Sequence, residues 1–289
     1  MDTKRFLVRC GDENFDLRKL DPDFTDRFKS KEDVVQKLEE NLVELRRLQD
    51  ILFAQGQYGL LIILQGMDTS GKDSLSKYLM HGLNPAGCRV HSFKAPCVEE
   101  LKQDFLRRYA VRVPARGEIV IFNRSHYEEV GVVRVHHELL AKQNLSLALR
   151  DRIWVNRFRQ ILDFERYLTE NGVVVLKFFL HISKEEQEKR LLERIEDNTK
   201  NWKFSMRDVY ERGFWEDYML VYSQAIGATS TKSCPWYGGV PTNHKWFAKL
   251  VVGEVVIDHL QRLPLKYPHL DKKEHTEALT ALKKSLKKV

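Results

Sequence analysis

Residues Leu60 to Ser76 read LLIILQGMDTSGKDSLS: an apolar run, a glycine-bounded loop, then residues able to open a helix. Leu60 to Leu64 carry no charge, as expected of a strand covered on both faces of a parallel sheet. Gly66 and Gly71 bracket four residues and Lys72 follows, which is the G-x-x-x-x-G-K pattern of a phosphate-binding loop. Glycine lets such a loop curl until successive backbone N–H groups point at one anion, which predicts a cradle built from Gly66, Thr69, Ser70, Gly71 and Lys72. The Lys72 side chain adds a point charge, and the helix that starts there offers its positive end to the same anion.

One position departs from the usual pattern. Where the loop normally ends in Ser or Thr, whose hydroxyl holds magnesium, this chain has Asp73, and a second carboxylate, Asp68, lies inside the loop. Two carboxylates beside a polyanion repel it unless a divalent cation sits between them. Asp68 is therefore the expected metal ligand. Asp73 has a second reading, as an acid capping the positive end of the following helix.

The 289 residues are enough for one large domain with a substantial core, and 43% hydrophobic with 31% charged residues is a globular composition. Lys and Arg outnumber Asp and Glu by 48 to 41, a net +7, which suits an anionic partner: nucleotide, inorganic polyanion, nucleic acid or membrane surface. Cys10, Cys88, Cys97 and Cys234 form no C-x-x-C pair and no metal-like spacing with histidine, so a reduced cytoplasmic setting is expected. The opening MDTKRFLVRCGDENFD lacks the apolar core and cleavage site of a signal peptide, and nothing approaches the ~20 apolar residues of a membrane span.

Strand and helix patterns alternate along the chain. Residues 1 to 30 read as an irregular leader, and Val34, Val35, Leu38, Leu42, Leu45, Leu48 and Leu52 mark an amphipathic helix over Lys31 to Gln55, ending at Gly56. Leu75, Tyr78 and Leu79 give the inward side of the helix after the loop. Arg89 to Phe93 is a second strand, running into Phe93–Pro96 (FKAP), where Lys94 stands at the carboxyl end at which open α/β sheets bind ligands. Glu99 to Ala110 reads as a helix. Gly117 to Asn123 is the next strand, followed by NRSHYEEV. An acid holding magnesium through water is usual at that strand end; here neutral Asn123 takes the place, followed by Arg124, whose planar fork suits phosphate oxygens. His126 and Tyr127 read as packed rings.

Residues 136 to 170 read as helical, with Ile153, Phe158, Ile161 and Leu162 facing inward, and VVVLKFFLHIS is a fourth strand. The charged run from Lys184, with Lys189, Arg190, Arg194, Lys200 and Lys203, follows a strand in a nucleotide-type fold, where a mobile lid commonly reaches over the phosphates. Trp202, Trp215 and Tyr218 are expected to pack. Cys234 to Val240 is a short fifth strand, Trp246 to Leu263 a covering helix, and the residues from Lys272 a basic, partly helical tail. No linker divides the chain, so one α/β domain with a parallel sheet is expected over residues 1–289: leader and first helix 1–56, lid 184–212, basic tail 264–289.

GMDTSGKD, FKAP, FNRSHYEEV with VVRVH behind it, RIEDNTKNWKFS and PWYGGVPTNHKWF occur in this order between Leu60 and Phe247. Together they resemble the family-2 polyphosphate kinases, which move the terminal phosphoryl group between inorganic polyphosphate and nucleotides. The resemblance implies a three-layer α/β/α P-loop fold of the thymidylate-kinase type with a helical lid. It also implies magnesium (or manganese in its place) and homodimers or homotetramers. The NRSHYEEV form is similar to the subgroup that accepts nucleoside monophosphates as well as diphosphates. By the same resemblance the catalytic set falls on Asp68, Lys72, Asn123, Arg124 and Glu128. Polyphosphate falls on the loop from Gly66 to Asp73 with Arg190, Arg194, Lys200 and Lys203, and the nucleotide on Lys94, Pro96, Asn123, Arg124, Glu128 and Arg134. Two departures stand out: Asn198 where the family often has Pro, which should loosen the lid turn, and Gly238 and Gly239 where bulkier residues are usual.

These expectations define a mechanism of positioning and charge neutralisation on inorganic polyphosphate and nucleoside mono- and diphosphates, with no membrane and no nucleic acid required. Two other readings remain open at this level. One is an ATP-dependent nucleotide or nucleoside kinase on the same fold. The other is a basic nucleic-acid-binding protein whose loop merely holds a nucleotide.

Overall fold

The computed structural model describes residues 1–269 and 271–286; the end of the expected basic tail, 287–289, lies outside them. Five strands, β1 (Gly59–Gly66), β2 (Cys88–Ser92), β3 (Ile119–Asn123), β4 (Val173–His181) and β5 (Trp236–Pro241), pair in parallel in the order β2-β3-β1-β4-β5. The longer helices in chain order are α1 (Val35–Gln55), α2 (Lys72–Leu79), α3 (Ile153–Glu170), α4 (Lys184–Glu196), α5 (Met206–Arg212), α6 (Trp215–Thr229), α7 (Lys245–Arg262) and α8 (Lys272–Leu286).

Side chains alternate across a strand, and β1 uses both faces. Leu60, Ile62 and Leu64 enter one core with Leu45, Leu52, Leu75 and Leu79 of α1 and α2 and the apolar stripe of α7. Leu61 and Ile63 enter a second core with Ile161 and Leu168 of α3 and Met219 and Ile226 of α6. This is the parallel α/β sheet expected from the strand and helix pattern, in the three-layer α/β/α form that the resemblance implies. All the strand carboxyl ends meet at one edge, which carries the loop after β1, FKAP after β2 and NRSHYEEV after β3. Among the described residues no helix is long and apolar enough to cross a membrane.

The leader is irregular apart from short 3-10 turns, yet it is part of the sheet. Leu7 bridges antiparallel to Tyr237, Leu17 is fully buried, and the Leu17 N–H donates to Ser223 Oγ (3.0 Å). The β4–β5 register slips between Phe178 and Leu180, where Gly238 and Gly239 form an irregularity. Val8 and Phe15 press onto Gly238 and Leu20 onto Gly239, so leader side chains occupy the space that bulkier residues at these positions would need. The leader thereby covers an edge strand that would otherwise be open to pairing.

Three expectations change. The helix over Glu99–Ala110 is two single turns, Val98–Leu101 and Arg107–Ala110, because Asp104 Oδ1 accepts the N–H groups of Leu106 (3.0 Å) and Arg107 (3.1 Å) and restarts the helix. Over 136–170 only α3 is continuous. The preceding segment is broken into the turns Glu138–Ala141 and Leu147–Arg150, with Asn144 and Arg152 in the left-handed region. Trp215 and Tyr218 are buried as expected, whereas Trp202 is 75% exposed.

Gly239 has φ +71°, and a Cβ there would stand 2.2 Å from Leu20 Cδ1. Gly239→Ala should lower the free energy of unfolding in urea by about 1–3 kcal/mol through backbone strain and overpacking. An unchanged unfolding midpoint would mean that the leader is not held at this point.

Candidate active site

The loop after β1 is tight because β4 runs beside it. A Cβ on Gly66 (φ +150°) would lie 2.5 Å from the Leu180 carbonyl oxygen, so only glycine fits. Thr69 takes φ 64°, a left-handed conformation that costs a non-glycine residue energy and is concentrated at functional sites. Lys72 is buried against its own loop: Nζ donates to the carbonyls of Gly66 (2.7 Å) and Met67 (3.0 Å) and to Ser70 Oγ (3.4 Å). Burial, and next the Arg124 guanidinium, lower its pKa to about 8.

Register brings the second half of the site to the first. Asn123 pairs with Leu64, and the Arg124 N–H donates to the Leu64 carbonyl (3.1 Å), extending the β1–β3 ladder by one bond. Arg124 then turns left-handed (φ 65°) and its Nη2 donates to Asp68 Oδ1 at 2.8 Å. Glu128, and after it Asp68, hold Arg124 firmly charged. Glu128 opens onto a cavity but is otherwise enclosed by protein, and that burial raises its carboxyl pKa against the opposing pull of Arg124 and Lys72. The cavity, about 390 Å³, gathers Gly66, Asp68, Lys94, Pro96, Arg124 and Glu128 of the residues singled out by sequence.

The other expected residues lie elsewhere. Asn123 Nδ2 donates to Asp73 Oδ1 (2.7 Å), and the other Asp73 oxygen lies 3.6 Å from Lys203 Nζ, a chain from strand end to lid along the outer side of the loop. Arg190 does not present a free guanidinium. Its Nε donates to Glu186 (2.8 Å), Nη1 to the Thr69 carbonyl (3.0 Å) and Nη2 to the Asn243 carbonyl (2.9 Å), so it ties the root of the lid to the phosphate loop. Arg194 pairs with Asp208 (3.3 Å) and Lys200 with Asp197 (2.7 Å). Asp197 also accepts from the Thr199 N–H (2.9 Å), closing the turn that carries Asn198 where a proline is usual. Arg134 is not on the cavity; its guanidinium lies 5.7 Å from the centre of the Phe158 ring.

Several cavity residues were not foreseen. Asp208, Arg207 and Glu211 reach it from α5, and Gln143 and Arg108 from the broken segments. Ser205 caps α5, so the SMRD stretch reads locally as a helix start and gives no sign that Asp208 turns toward Asp68; burial, then Asp68, push the Asp208 carboxyl pKa up. The cavity wall is held from behind. Arg157 donates to Glu129 (3.0 Å), Gln160 (3.1 Å) and Gln143 (2.9 Å), and its guanidinium lies 4.1 Å from the centre of the Phe105 ring. His126 and Tyr127 are packed rings, as expected, but they belong to a buried polar cluster. Lys177 Nζ, inside β4, donates to Glu165 (2.6 Å), Thr229 O (2.7 Å) and the Tyr127 hydroxyl (3.0 Å). The signal for it was a lysine in the middle of an apolar strand.

Two measurements follow from these charges. Lys177→Met strands the Glu165 carboxylate in the core and should cost about 3–5 kcal/mol of stability, much of it recovered in Lys177→Met/Glu165→Leu; equal losses in both would mean that the cost does not come from the stranded carboxylate. Free Lys72 gives up its proton as pH rises through about 8, whereas a bound anion favours the charged form. Proton uptake on binding tripolyphosphate should therefore rise from pH 7 to pH 9 by close to one proton more than in Lys72→Met, which cancels the ligand's own ionisation, read from the buffer dependence of the calorimetric enthalpy. A difference from Lys72→Met that does not change over this range would show that Lys72 does not meet the anion.

The model of the family described as Polyphosphate kinase 2 matches residues 28–267. An AMP/ADP-polyphosphate phosphotransferase of Meiothermus ruber is 42% identical over 266 residues, covering 92% of this chain and 95% of the relative. An ADP-polyphosphate phosphotransferase of Rhodopseudomonas palustris is 40% identical over 287 residues, 99% of each chain. The crystal structure of Polyphosphate Kinase 2 from Arthrobacter aurescens TC1 superposes with a TM-score of 0.86 at 36% identity, over 98% of both chains. With its phosphate loop, Asp68–Arg124 pair and adjoining cavity in one sheet edge, this chain belongs to the polyphosphate kinase 2 family.

Proposed function

We propose that this chain transfers the terminal phosphoryl group of inorganic polyphosphate to nucleotides, taking AMP to ADP and ADP to ATP in a reversible reaction. One observation carries the reading. The Asp68 carboxylate stands on the phosphate loop, faces the cavity and is joined to Arg124, so a phosphate held by the loop and an acceptor phosphate in the cavity meet at that pair. The substrates are supported by relatives of nearly the same length, one named for AMP and ADP and one for ADP. Those names favour polyphosphate over ATP as the donor.

The transition state is loose, so positioning and charge neutralisation do the work, and a nucleotide phosphate needs no strong base. Lys72 and the loop N–H groups hold the donor's terminal phosphate, and Arg124 meets charge on the group in transfer. Glu128 orients the acceptor. Asn123 steadies Asp73 and through it Lys203, so the lid (184–212) can close on the loop. Lys94 and Pro96 line the acceptor side.

Such chemistry uses a divalent cation, which neutralises charge on the phosphate oxygens. The donor set fits one. Magnesium takes one or two carboxylates together with phosphate oxygens and water, and Asp68, Glu128 and Asp208 all line this cavity. Among the described residues no three His, Cys, Asp or Glu side chains form a group that could hold a metal ion by themselves. Asp68 would hold magnesium, or manganese in its place. A homodimer or homotetramer and a cytoplasmic location belong to the same reading.

ATP formation from AMP, and separately from ADP, with long-chain polyphosphate and magnesium as the only phosphate source tests the proposal. Product from both is expected; product from ADP alone would remove the monophosphate reading drawn from the NRSHYEEV form. Asp68→Asn should lower kcat by about a hundredfold or more while nucleotide affinity changes only a few-fold. Near-normal turnover in that variant would sink the assignment of Asp68.

A further inference from the structure

Strand β1 carries one polar side chain, Gln65, which follows the apolar run Leu60–Leu64, stands directly before Gly66 of the phosphate loop and is fully buried. Strand alternation puts it on the face of Leu61 and Ile63, in the core that also takes Tyr127 and Val130. A buried amide is a cost unless both of its ends are met. One end is met: Nε2 donates to Ser125 Oγ at 3.3 Å. The other is not, because Oε1 is buried and has no donor. An apolar side chain of the same length would leave nothing unmet, so stability does not account for glutamine at this position. What the amide touches does. Ser125 opens the 3-10 turn His126–Glu128: its Oγ accepts the Tyr127 N–H (3.2 Å) and its carbonyl accepts the Glu128 N–H (2.9 Å). Gln65 therefore grips the root of the turn whose last residue is Glu128. An amide nitrogen carries two hydrogens, and the second is left for the Glu128 carboxylate. Burial raises the Glu128 pKa, and Arg124, Lys72 and then the Gln65 amide pull it back. Arg124 does not take over this role, since its Nη2 donates to Asp68 (2.8 Å).

We propose that Gln65 is a positioning residue for the acceptor nucleotide: from the end of β1 its amide holds the Glu128 carboxylate in the direction that meets the acceptor in the cavity. The inference rests on the reading above, in which Glu128 orients the acceptor, and adds what sets the direction of Glu128. The consequence is geometric. Gln65 and Gly66 are neighbours on one strand end, so the segment that begins the donor's phosphate loop also aims the acceptor's carboxylate. The spacing between the two substrates is then set by a buried strand and a buried amide, and not by the turn alone. Phosphoryl transfer rewards such control, because a misplacement of about 1 Å between reacting groups lowers the rate by about a hundredfold.

The test uses the full chain with Gln65→Met, which keeps the length of the side chain and removes both polar ends. The unmet carbonyl goes with them, so the thermal unfolding midpoint should hold or rise. The value of kcat/KM for AMP and for ADP should each fall about tenfold, as expected for one hydrogen bond to a charged group. KM for polyphosphate should stay within about twofold, which a distorted phosphate loop would not allow. A cycle with Glu128→Gln completes the test: because Gln65 acts through Glu128, adding Gln65→Met to Glu128→Gln should cost less than about twofold more. Unchanged kcat/KM for both acceptors in Gln65→Met overturns the proposal, and so do losses that multiply in the double variant or a matching rise in the polyphosphate KM. If Gln65→Met does not fold, Gln65→Leu is taken through the same cycle, and failure of both to fold overturns the proposal in favour of a purely structural glutamine. If the unaltered protein makes no ATP from polyphosphate, the functional reading itself has failed. The proposal is then decided by calorimetric affinity for AMP across the same four proteins: losses that do not multiply support it, and independent losses overturn it.

Discussion

Strand β1 is hydrogen-bonded on one side to β3 and on the other to β4, and this double pairing fixes where the phosphate loop and Arg124 stand. At its carboxyl end the chain has to leave the sheet between two neighbours, and the Leu180 carbonyl closes on Gly66 so tightly that no side chain fits. The turn that results leaves loop N–H groups without strand partners, and such groups are what a phosphate needs. The same ladder delivers Arg124. Because Asn123 is in register with Leu64, the next residue on β3 emerges beside the loop and its guanidinium finds Asp68 at 2.8 Å. Two strand registers, and no direct link along the chain, create the pair.

Around that edge the protein divides its cations into two populations. Lys177, Arg157 and Arg190 are buried, and their donors are spent on protein acceptors. Burying such charges is expensive and stabilises little on balance, but a fully satisfied buried cluster permits one geometry only. Each holds a piece of the site. Lys177 with Glu165 and Tyr127 fixes the turn bearing Arg124 and Glu128; Arg157 with Glu129 and Gln143 fixes the cavity wall; Arg190 fixes the loop to the root of the lid. The second population is not buried: Lys203 stands beside Asp73, and Lys245 and Lys249 line a shallow cleft with Ser70 and Gly71.

The lid links the two. Glu211 of α5 accepts from Tyr218 Oη (2.6 Å) and sits 2.7 Å from His136 Nε2, so α5 is anchored to the segment that walls the acceptor cavity. Asp208, one turn earlier on the same helix, lines the same cavity and pairs with Arg194 (3.3 Å). The 184–212 segment is thus attached to the cavity wall at one end and, through Arg190, to the phosphate loop at the other.

Glu128 was singled out only by the resemblance, whereas strands, their alternation with helices, the phosphate loop with Asp68 and Lys72, and Arg124 at the end of β3 were legible in the chain itself. Each depends on residues close in sequence: an apolar run, a glycine spacing, a strand end. The role of the lid's basic residues was not legible in this way. Arg190 and Lys203 look alike in a run of charge, yet one is buried against the Thr69 and Asn243 carbonyls and the other stands beside Asp73. Likewise Gly238 and Gly239 read as a departure from the bulkier residues usual there until Val8, Phe15 and Leu20 of the leader arrive against them. Local periodicity and turn chemistry settle what elements form. Whether a cation is free to bind phosphate depends on acceptors brought from remote segments, and only the folded packing supplies those.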